Sequence, residues 1–359
     1  MTLRGVIRIG GAIAALLAGT AAAVPRYVAV QLSEQGRSFG AGINSQGDSV
    51  GYVADLEVGY FSFVNTGGVT RPLTSMTFAA GINDLRQIVG YEELNSPFPG
   101  PRVRGVIDSG GELRYIGFDH YPAAINAEGQ VTGQIFGLQT SNDPHFFLYA
   151  RGAGKDLGLG VGHGINDAGQ GTGEFLFSGQ RFRHAAIYSV GTFVDLGVVG
   201  WGSGINRLGQ VAGTGLFGVV DNRAFLYADG IVHELGTLGG QHSGGWGIND
   251  RGHVVGQAHT DGNASVHAFL YAEGKMHDLN DLVVSGLGTR TAQNAVAINN
   301  RGQIVGHACA VFESTCRAFR FDPLAEPQPI VVVPTLSDTA MLATMLLVLA
   351  VAFAVRMRG

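Results

Sequence analysis

One motif recurs seven times along this 359-residue chain and limits the folds that the chain can adopt. Each copy has a small residue before Ile-Asn, a polar turn, and a short stretch that ends one residue after a Gly. The copies read GINSQGDSVGY, GINDLRQIVGY, AINAEGQVTGQ, GINDAGQGTGE, GINRLGQVAGT, GINDRGHVVGQ and AINNRGQIVGH. Their isoleucines lie 39 to 50 residues apart and are Ile43, Ile82, Ile125, Ile165, Ile205, Ile248 and Ile298. This period is typical of chains that stack one small β-unit per repeat.

Each period holds four short candidate strands. The first ends at Ile-Asn, the second resembles GQIVG, the third resembles HAFLY, and the fourth carries DLG or a variant. Gly, Asn and Asp separate them, and nothing between them has a helical period, which predicts β-structure throughout. Four radially stacked strands per repeat predict an all-β fold of the β-propeller type.

The two ends of the repeat array predict how the ring closes. The seventh repeat stops after three strands, whereas RYVAVQL at 26–32 resembles a fourth strand that no repeat precedes. We therefore expect 26–32 to complete the last blade, giving a closed seven-bladed propeller over 24–323 rather than an open solenoid. Closure of this kind removes exposed sheet edges.

The first strand of each repeat alternates large and small residues. The position four before the Ile holds a large residue in five repeats, namely Phe39, Phe78, Tyr121, Val161 and Trp201. The residue directly before the Ile is always Gly or Ala. Since alternate residues of a strand face opposite sides, we expect the large face of one inner strand to pack on the small face of the next.

An Asn follows the Ile in every copy. These residues are Asn44, Asn83, Asn126, Asn166, Asn206, Asn249 and Asn299. An Asn side chain can cap a tight turn, and the Gly that usually follows supplies a positive φ. The alternative is a ring of ligand-binding amides. We favour the structural interpretation, because a ligand site seldom needs seven equivalent residues.

Both ends of the chain predict export. Residues 1–23 hold Arg4 and Arg8, an apolar run, and Ala21 and Ala23 at small-x-small spacing, which predicts a signal peptide of the general secretory route cleaved after Ala23. An uncleaved anchor is the alternative. After a linker at 324–332, residues 339–355 are uncharged and precede a basic tail, which predicts a short transmembrane helix rather than a buried core helix.

The segment before that helix reads VPTLSD. With the helix and basic tail in order, 333–359 resembles the IPTL-CTERM sorting signal of Gram-negative bacteria, on Val333, Pro334, Thr335, Leu336 and Ser337. Thr339 and Ala340 replace the usual Trp-Gly. The resemblance implies recognition by an exosortase-type membrane protease, beside the signal peptidase. It also implies inner-membrane anchoring, transient or permanent, on the way to the cell surface or the extracellular space.

The repeats themselves carry a second resemblance. HAFLYAEGKMHDL and RAFLYADGIVHELGTLGG resemble the HAF family of extracellular repeats, over roughly residues 39–322. Membership implies an exported bacterial protein and no particular activity.

The sequence contains few patterns that indicate a catalytic, metal-binding or nucleic-acid-binding site. The net charge is −5 without a basic stretch, which argues against a nucleic-acid partner. No nucleophile elbow, phosphate loop or close pair of histidines is present, so we predict no catalytic residue, no metal, no cofactor and no enzymatic activity. Cys309 and Cys316 flank AVFEST, and in an oxidising compartment we expect them to form a disulfide across that loop; a metal site or a nucleophile is the weaker interpretation.

Variation between repeats points to a binding face. The loops between the second and third strands all differ, whereas the Asn turns are uniform. Function tends to lie on variable loops of a rigid scaffold. Trp201 and Trp246 lie near the variable face, where they could stack on sugars or pack between blades. We predict a surface or matrix protein that binds a polysaccharide or protein there. The alternatives are a glycan-acting hydrolase or lyase using the propeller mouth, and a structural spacer.

Overall fold

The computed structural model describes residues 24–55, 57, 59–94, 102–136, 143–218, 221–310 and 315–324. The predicted signal peptide with Ala21 and Ala23, the sorting motif Val333–Ser337 and the predicted helix at 339–355 lie outside the described residues. Within the described ranges, no helix is long and apolar enough to cross a membrane.

The described residues form 27 β-strands, one α-helix and one short 3-10 turn. In chain order they are β1 (Tyr27–Gln31), β2 (Arg37–Ile43), β3 (Ser49–Asp55), β4 (Gly59–Thr66), β5 (Val69–Leu73), β6 (Phe78–Ile82), β7 (Ile88–Leu94), β8 (Arg102–Ser109), β9 (Glu112–Phe118), β10 (His120–Ile125), β11 (Val131–Ile135), β12 (His145–Ala150), β13 (Ala153–Ile165), β14 (Gly171–Phe175), β15 (His184–Ser189), β16 (Thr192–Ile205), β17 (Val211–Phe217), β18 (Asp221–Ala228), β19 (Ile231–Glu234), β20 (Gly239–Ile248), β21 (Val254–Thr260), the 3-10 turn (Asp261–Asn263), β22 (Val266–Ala272), β23 (Lys275–Asp278), α1 (Leu279–Leu282), β24 (Val283–Ser285), β25 (Arg290–Ile298), β26 (Ile304–Ala310) and β27 (Cys316–Pro323).

Apart from the sheet that contains β1, the strands pair as antiparallel four-stranded units of consecutive strands. Three units form separate sheets, β2–β5, β6–β9 and β20–β23. The strands β10–β19 form one continuous ten-stranded sheet, because β13 and β16 each end one unit and begin the next. This arrangement is an all-β, propeller-type architecture.

The N-terminal strand joins the last sheet. β1 runs antiparallel to β27, with Tyr27 opposite Pro323 and Gln31 opposite Phe319. The strand predicted at 26–32 is thus found at 27–31, as the neighbour of the third strand of the seventh repeat. β24 pairs with the other edge of β1 in parallel, so this sheet has five strands.

The widest repeat spacing contains an inserted segment. Between Ile248 and Ile298 the chain forms the single-turn helix α1 and then β24. The DLG variant of this repeat, HDLNDL, therefore begins in β23 and continues into α1, so only its first part forms the predicted fourth strand. Asp278 ends the strand and caps the helix, because its side chain accepts from the Asn280 backbone N–H.

The packing predicted for the first strands is wrong. Every first strand has a register shift two residues before its Ile, as between Gly40 and Gly42 in β2. Such a bulge re-aims side chains. Neighbouring inner strands meet through their small residues, since a Cβ on Gly42 would lie 3.1 Å from Gly81 Cα. Small residues thus pack on small residues, and the large residues face elsewhere.

The hydrophobic core lies between successive units. One cluster joins Val89 and Ile107 of one unit to Val131 and Phe147 of the next. The Phe of the HAF-like strand is buried in most units: Phe63, Phe147, Phe225, Phe269 and Phe319. Its ring lies over the Gly of the second strand, which explains why both residues recur in the motif.

A polar pair links the third and fourth strands. His145, His184 and His267 bind Asp156, Asp195 and Asp278 through Nδ1 at 2.9, 3.0 and 2.6 Å. In another unit Arg223 takes the histidine position and Glu234 the acid position, at 3.3 Å. Partners are always eleven residues apart. The His of HAF and the Asp of DLG are therefore two halves of one interstrand contact.

The repeated asparagines link each unit to the next. Each Oδ1 accepts a backbone N–H of its own turn, as Asn166 Oδ1 does from Gln170 N at 3.0 Å. Each Nδ2 donates to the backbone carbonyl of the next repeat's Asn. In the described chain these bonds run 44→83, 83→126, 126→166, 166→206, 206→249, 249→299 and 299→44. The Asn turns are thus interlocked in a closed circle.

Candidate functional site

A central cavity of about 880 Å³ opens where the first strands begin; we call it the mouth cavity. The antiparallel pairing puts that opening beside the ends of the second strands, for example Arg37 opposite Ala54. The variable second-to-third loops therefore leave from the same face. Cavities of this size suit small molecules or a segment of a polymer.

Two tiers of residues line the mouth cavity above a floor of isoleucines. The outer tier comes from four residues before the Ile and includes Phe39, Phe78, Tyr121, Val161, Trp201 and Asn294. Second-strand residues flank this tier, namely Tyr52, Tyr91, Gln134 and His307. The inner tier is the bulged position and comprises Ala41, Ala80, Ala123, His163, Ser203, Trp246 and Val296.

One side of the cavity is a continuous aromatic surface, the aromatic arc: Phe39, Tyr52, Phe78, Tyr91 and Tyr121. Successive ring centroids along it are 5.0 to 5.1 Å apart. The small inner-tier alanines below the arc leave these rings accessible from the cavity. The arc offers apolar ring surface for stacking.

The other side carries polar groups, and we call Ser203, Trp246, Asn294 and His307 the polar wall. Ser203 Oγ, Trp246 Nε1, Asn294 Oδ1 and His307 Nδ1 are buried and have no hydrogen-bond partner in the described part of the chain. Buried polar atoms are normally paired, so each such atom calls for an explanation. All four belong to residues that line the mouth cavity, but the four atoms themselves are not exposed to it.

The cavity is electrically neutral. None of the described residues that line it is Asp, Glu, Lys or Arg. Burial lowers the pKa of His163 to about 4. Burial, with a smaller contribution from Arg37, lowers the pKa of His307 to about 4. Both imidazoles are therefore neutral at pH 7, where each offers one donor and one acceptor.

Acidic groups lie near the cavity without lining it. Burial and then the Glu93 carboxylate raise the pKa of Tyr91 to about 12, so this phenol keeps its proton. Glu93 also lines a groove of about 820 Å³ between the β2–β5 and β6–β9 units. Tyr60 in this groove contacts Phe78 of the arc at 5.1 Å between ring centroids. Tyr60 and Phe78 thus form part of a wall between the groove and the mouth cavity.

The isoleucines form the boundary between two cavities. They line the floor of the mouth cavity and also a depression of about 220 Å³ on the opposite face, which the Asn turns surround. No Asn of the circle lines the mouth cavity among the described residues. The mouth cavity therefore ends in an apolar floor.

The structure brings some predicted residues together and not others. Trp201 and Trp246, left open between stacking and packing, both line the mouth cavity. The Asn residues lie below its floor and bind one another. Cys309 and Cys316 are opposite each other on β26 and β27 and are joined by a disulfide. No group of three or more His, Cys, Asp or Glu residues in the described chain could hold a metal ion.

The sequence interpretation missed Tyr52, Tyr91 and His307. Each directly follows the repeated Gly of its second strand, in VGY, VGY and VGH. A residue that varies between repeats beside an invariant Gly is a signal that could have found them. The sequence pattern of the second strand predicts only a strand of the sheet and no binding residue.

Comparison with known proteins supports the fold. No protein-family model matches the chain, and no curated protein matches it. The β-propeller domain of the Trilobed protease from Pyrococcus furiosus superposes with a TM-score of 0.56 at 12% identity, covering 82% of this chain and 98% of that domain. The acylaminoacyl peptidase of Pyrococcus horikoshii gives 0.54 at 11% identity, covering 80% of this chain and 52% of the peptidase. That protease domain is described as having an open velcro topology, whereas here β1 pairs with β27.

These matches contradict the prediction that the chain is not an enzyme, because both propellers belong to peptide-cleaving enzymes. The exclusion rested on missing sequence motifs, and catalytic groups of a propeller need not be neighbours in sequence. At 11–12% identity the likeness shows the β-propeller fold alone.

Proposed function

We propose that this chain is an exported bacterial β-propeller of seven blades that binds a polysaccharide, or else a protein, of the cell surface or matrix in its mouth cavity. The observation that carries the proposal is the aromatic arc, a continuous surface of five rings that lines one side of a cavity with neutral described lining residues. The rings supply stacking surface, and the hydroxyl groups of the three tyrosines among them supply polar groups. Ligand sites commonly combine these features.

The blade number is supported by the circle of Asn bonds, which counts one step per repeat and returns from Asn299 to Asn44. β1 supplies the strand that the seventh repeat lacks.

Export is supported by sequence. The basic and apolar start of the chain, the resemblance to HAF repeats and the VPTLSD segment all favour it. In this proposal signal peptidase removes 1–23, and an exosortase-type protease acts at the motif around Pro334. Intact mass of the protein recovered from each cell fraction tests both steps. A protein that keeps 1–23 and the C-terminal segment in the cytoplasm contradicts them.

Binding can be tested with the host's own polymers. The wild-type chain should migrate more slowly in native gels that contain the extracellular polysaccharide, and Trp201→Ala should restore free migration. Phe118→Ala is the matched control, because Phe118 is an exposed aromatic on β9 that does not line the cavity. Equal retardation of both variants would count against the mouth cavity as the site.

Hydrolysis or lyase chemistry in the same cavity is the second candidate, favoured by the propeller neighbours from a protease and a peptidase. Two neutral imidazoles, His163 and His307, are available there as proton acceptors. Incubation with the bound polymer should then release new reducing ends or, for a protein ligand, new amino termini. Loss of that release in His163→Asn and His307→Gln, with binding retained, would assign the chemistry to these residues.

A further inference from the structure

We propose that the groove between the β2–β5 and β6–β9 units is a second binding site, which takes an arginine side chain from a short segment of a partner protein. We call it the acidic groove. It has a volume of about 820 Å³, and among the described residues none lines both it and the mouth cavity. The acidic groove is therefore a separate site, whose ligand is independent of the polymer proposed for the mouth cavity.

The charge of the acidic groove favours a cationic ligand. Its described lining residues include Asp55, Glu92 and Glu93 but no Lys, Arg or His. Glu92 already binds Arg104, whereas Glu93 is exposed and its carboxylate has no hydrogen-bond or ion-pair partner in the described part of the chain. No group of three or more His, Cys, Asp or Glu residues in that part could hold a metal ion. An organic cation is thus the ligand that this groove fits.

Tyr60 adds an aromatic face to the same groove. It is 56% exposed, and Phe78 packs against its ring at 5.1 Å between ring centroids. A cation over an aromatic face is attracted by the charge distribution of the ring. No Arg or Lys of the described chain lies over the Tyr60 ring, although four other described rings have an Arg over them. This ring can therefore take a cation from outside the chain.

The second unit shows the same arrangement with its cation in place. Arg104 of β8 lies over the Tyr115 ring, with Cζ 3.6 Å from the ring centroid, and it also binds Glu92. One ring and one carboxylate thus hold one guanidinium. Tyr60 and Glu93 bring a ring and a carboxylate to the acidic groove. Arginine fits them better than lysine, because its planar group stacks on a ring and binds a carboxylate through two N–H groups.

The remaining surface of the groove suits a polypeptide. Phe61, Leu73 and Met76 line it, and the flexible Met76 side chain can adapt to the shape of an apolar neighbour. The volume is within the range of ligand pockets and exceeds what one side chain fills. Apolar residues beside the arginine can therefore enter with it. A polymer of amino sugars would present hydroxyl groups to this apolar surface, which makes it the poorer fit.

Selection from a random heptapeptide library displayed on phage tests the ligand class, with the purified full-length chain in detergent as the target. The enriched peptides should share an arginine next to apolar residues. Enrichment of peptides without a basic residue, or no enrichment, overturns the proposal. A glucosamine hexamer that displaces the best peptide and binds more tightly than it does would assign the groove to an amino sugar instead.

Synthetic versions of the best peptide test the guanidinium. Citrulline in place of the arginine removes the charge and keeps the shape, so it should weaken binding in calorimetry at least about tenfold. Lysine keeps the charge without the planar group and should give an intermediate affinity. Equal affinities of the arginine and citrulline peptides would show that no cation is recognised, and equal affinities of the arginine and lysine peptides would contradict the choice of arginine.

Glu93→Gln locates the carboxylate contact. It removes the charge at an exposed position and should weaken the arginine peptide about tenfold, while the citrulline peptide loses no further affinity. Glu112→Gln is the matched control, because Glu112 is an exposed acid of β9 that does not line the groove. It should change affinity less than about twofold. Equal effects of the two variants would refute the assignment.

Tyr60→Leu removes the ring and should weaken the arginine peptide about fivefold. Phe182→Leu is its control, since Phe182 is an exposed aromatic residue outside the groove. Thermal melting shows that each variant is folded. Trp201→Ala changes the mouth cavity and should leave the affinity for the peptide unchanged; a loss would place the peptide in the mouth cavity and overturn the second site. Tighter peptide binding after exchange of Arg356 and Arg358 for Gln would show that the chain's own basic tail fills the groove.

Discussion

Asn299 and Asn44 are 255 residues apart in sequence, yet Asn299 Nδ2 donates to the Asn44 carbonyl oxygen at 2.9 Å. The bond has the same form as those between consecutive repeats, such as the bond from Asn166 to Asn206 at 2.9 Å. The circle therefore has no weaker joint where the chain's first and last repeats meet. Because the side chain must accept in its own turn and donate to the next one, Asn fits and Asp does not.

Asn299→Asp isolates the donating half of this role. The carboxylate can still accept from Gln303 N, but it faces the Asn44 carbonyl without a proton to donate. We expect the free energy of unfolding to fall by about 2 kcal/mol, the range for a buried polar group without its hydrogen bond. The group left without a partner is the new carboxylate oxygen, because the Asn44 carbonyl still accepts from Gly47 N. Urea unfolding monitored by fluorescence measures it. Asn222→Asp, at an exposed position on β18, is the control and should change it by less than about 0.5 kcal/mol.

The repeated Gly of the second strand should not tolerate a side chain, because the first strand packs closely on it. A Cβ on Gly173 would lie 1.9 Å from the Val161 carbonyl oxygen of the paired strand. We expect Gly173→Ala to destabilise the protein by about 3 kcal/mol, at the upper end of overpacking effects. Gly154→Ala is the comparison, because the nearest atom to its Cβ would be His120 Nε2 at 3.8 Å. Similar melting temperatures for the two variants would contradict the packing described for β13 and β14.

Acid should weaken the fold through the buried histidines. Burial lowers the pKa of His163 and His307 to about 4, whereas the unfolded side chains titrate near 6.5. Between these values the unfolded chain binds more protons, so stability is full above about pH 6.5 and falls as the pH drops towards 4. The slope is at most about 1.4 kcal/mol per pH unit for each imidazole. Urea unfolding at several pH values should show a shallower slope for His307→Gln, and an unchanged slope would assign the loss to other groups.

The disulfide between Cys309 and Cys316 should contribute modestly to stability, because it closes only the short loop of the last repeat. The two cysteines are seven residues apart in sequence. For a loop of this length, the loop-closure entropy of the unfolded chain gives a stabilisation of about 2 kcal/mol. Adding a thiol reductant should lower the melting temperature of the wild type. The double variant Cys309→Ala, Cys316→Ala should melt lower and show no response to reductant. A response in that variant would show that the reductant acts elsewhere.

Much of the fold was predictable because the repeat has a fixed register. The spacing of the isoleucines predicts the strands, and the unpaired strand at 26–32 predicts the partner of β27. The bulge was not predictable, because it follows from how neighbouring inner strands pack on each other and leaves no mark in local propensity. A prediction without the bulge packs the large residues of one first strand on the small residues of the next, which is the wrong contact.

The candidate site was only half visible in sequence. Trp201 and Trp246 stand out in the sequence because tryptophan is rare in this chain. Tyr52 and Tyr91 lie on second strands and line the same cavity only because the fold brings the repeats around one axis. The pairing of His267 with Asp278 is likewise an interstrand contact, and each residue alone suggests a metal ligand or a turn. Long-range convergence of this kind is set by topology rather than by neighbouring residues.

The circle of amide bonds has a consequence for where such a chain can begin. Every joint between neighbouring repeats is made by the same side chain in the same way, including the joint between the last and the first repeat of the sequence. The circle of Asn bonds therefore places no requirement on which repeat comes first in the sequence. A circularly permuted gene that starts at another repeat, with the two ends of the described domain joined, would encode a protein with the same circle of Asn bonds and the same mouth cavity.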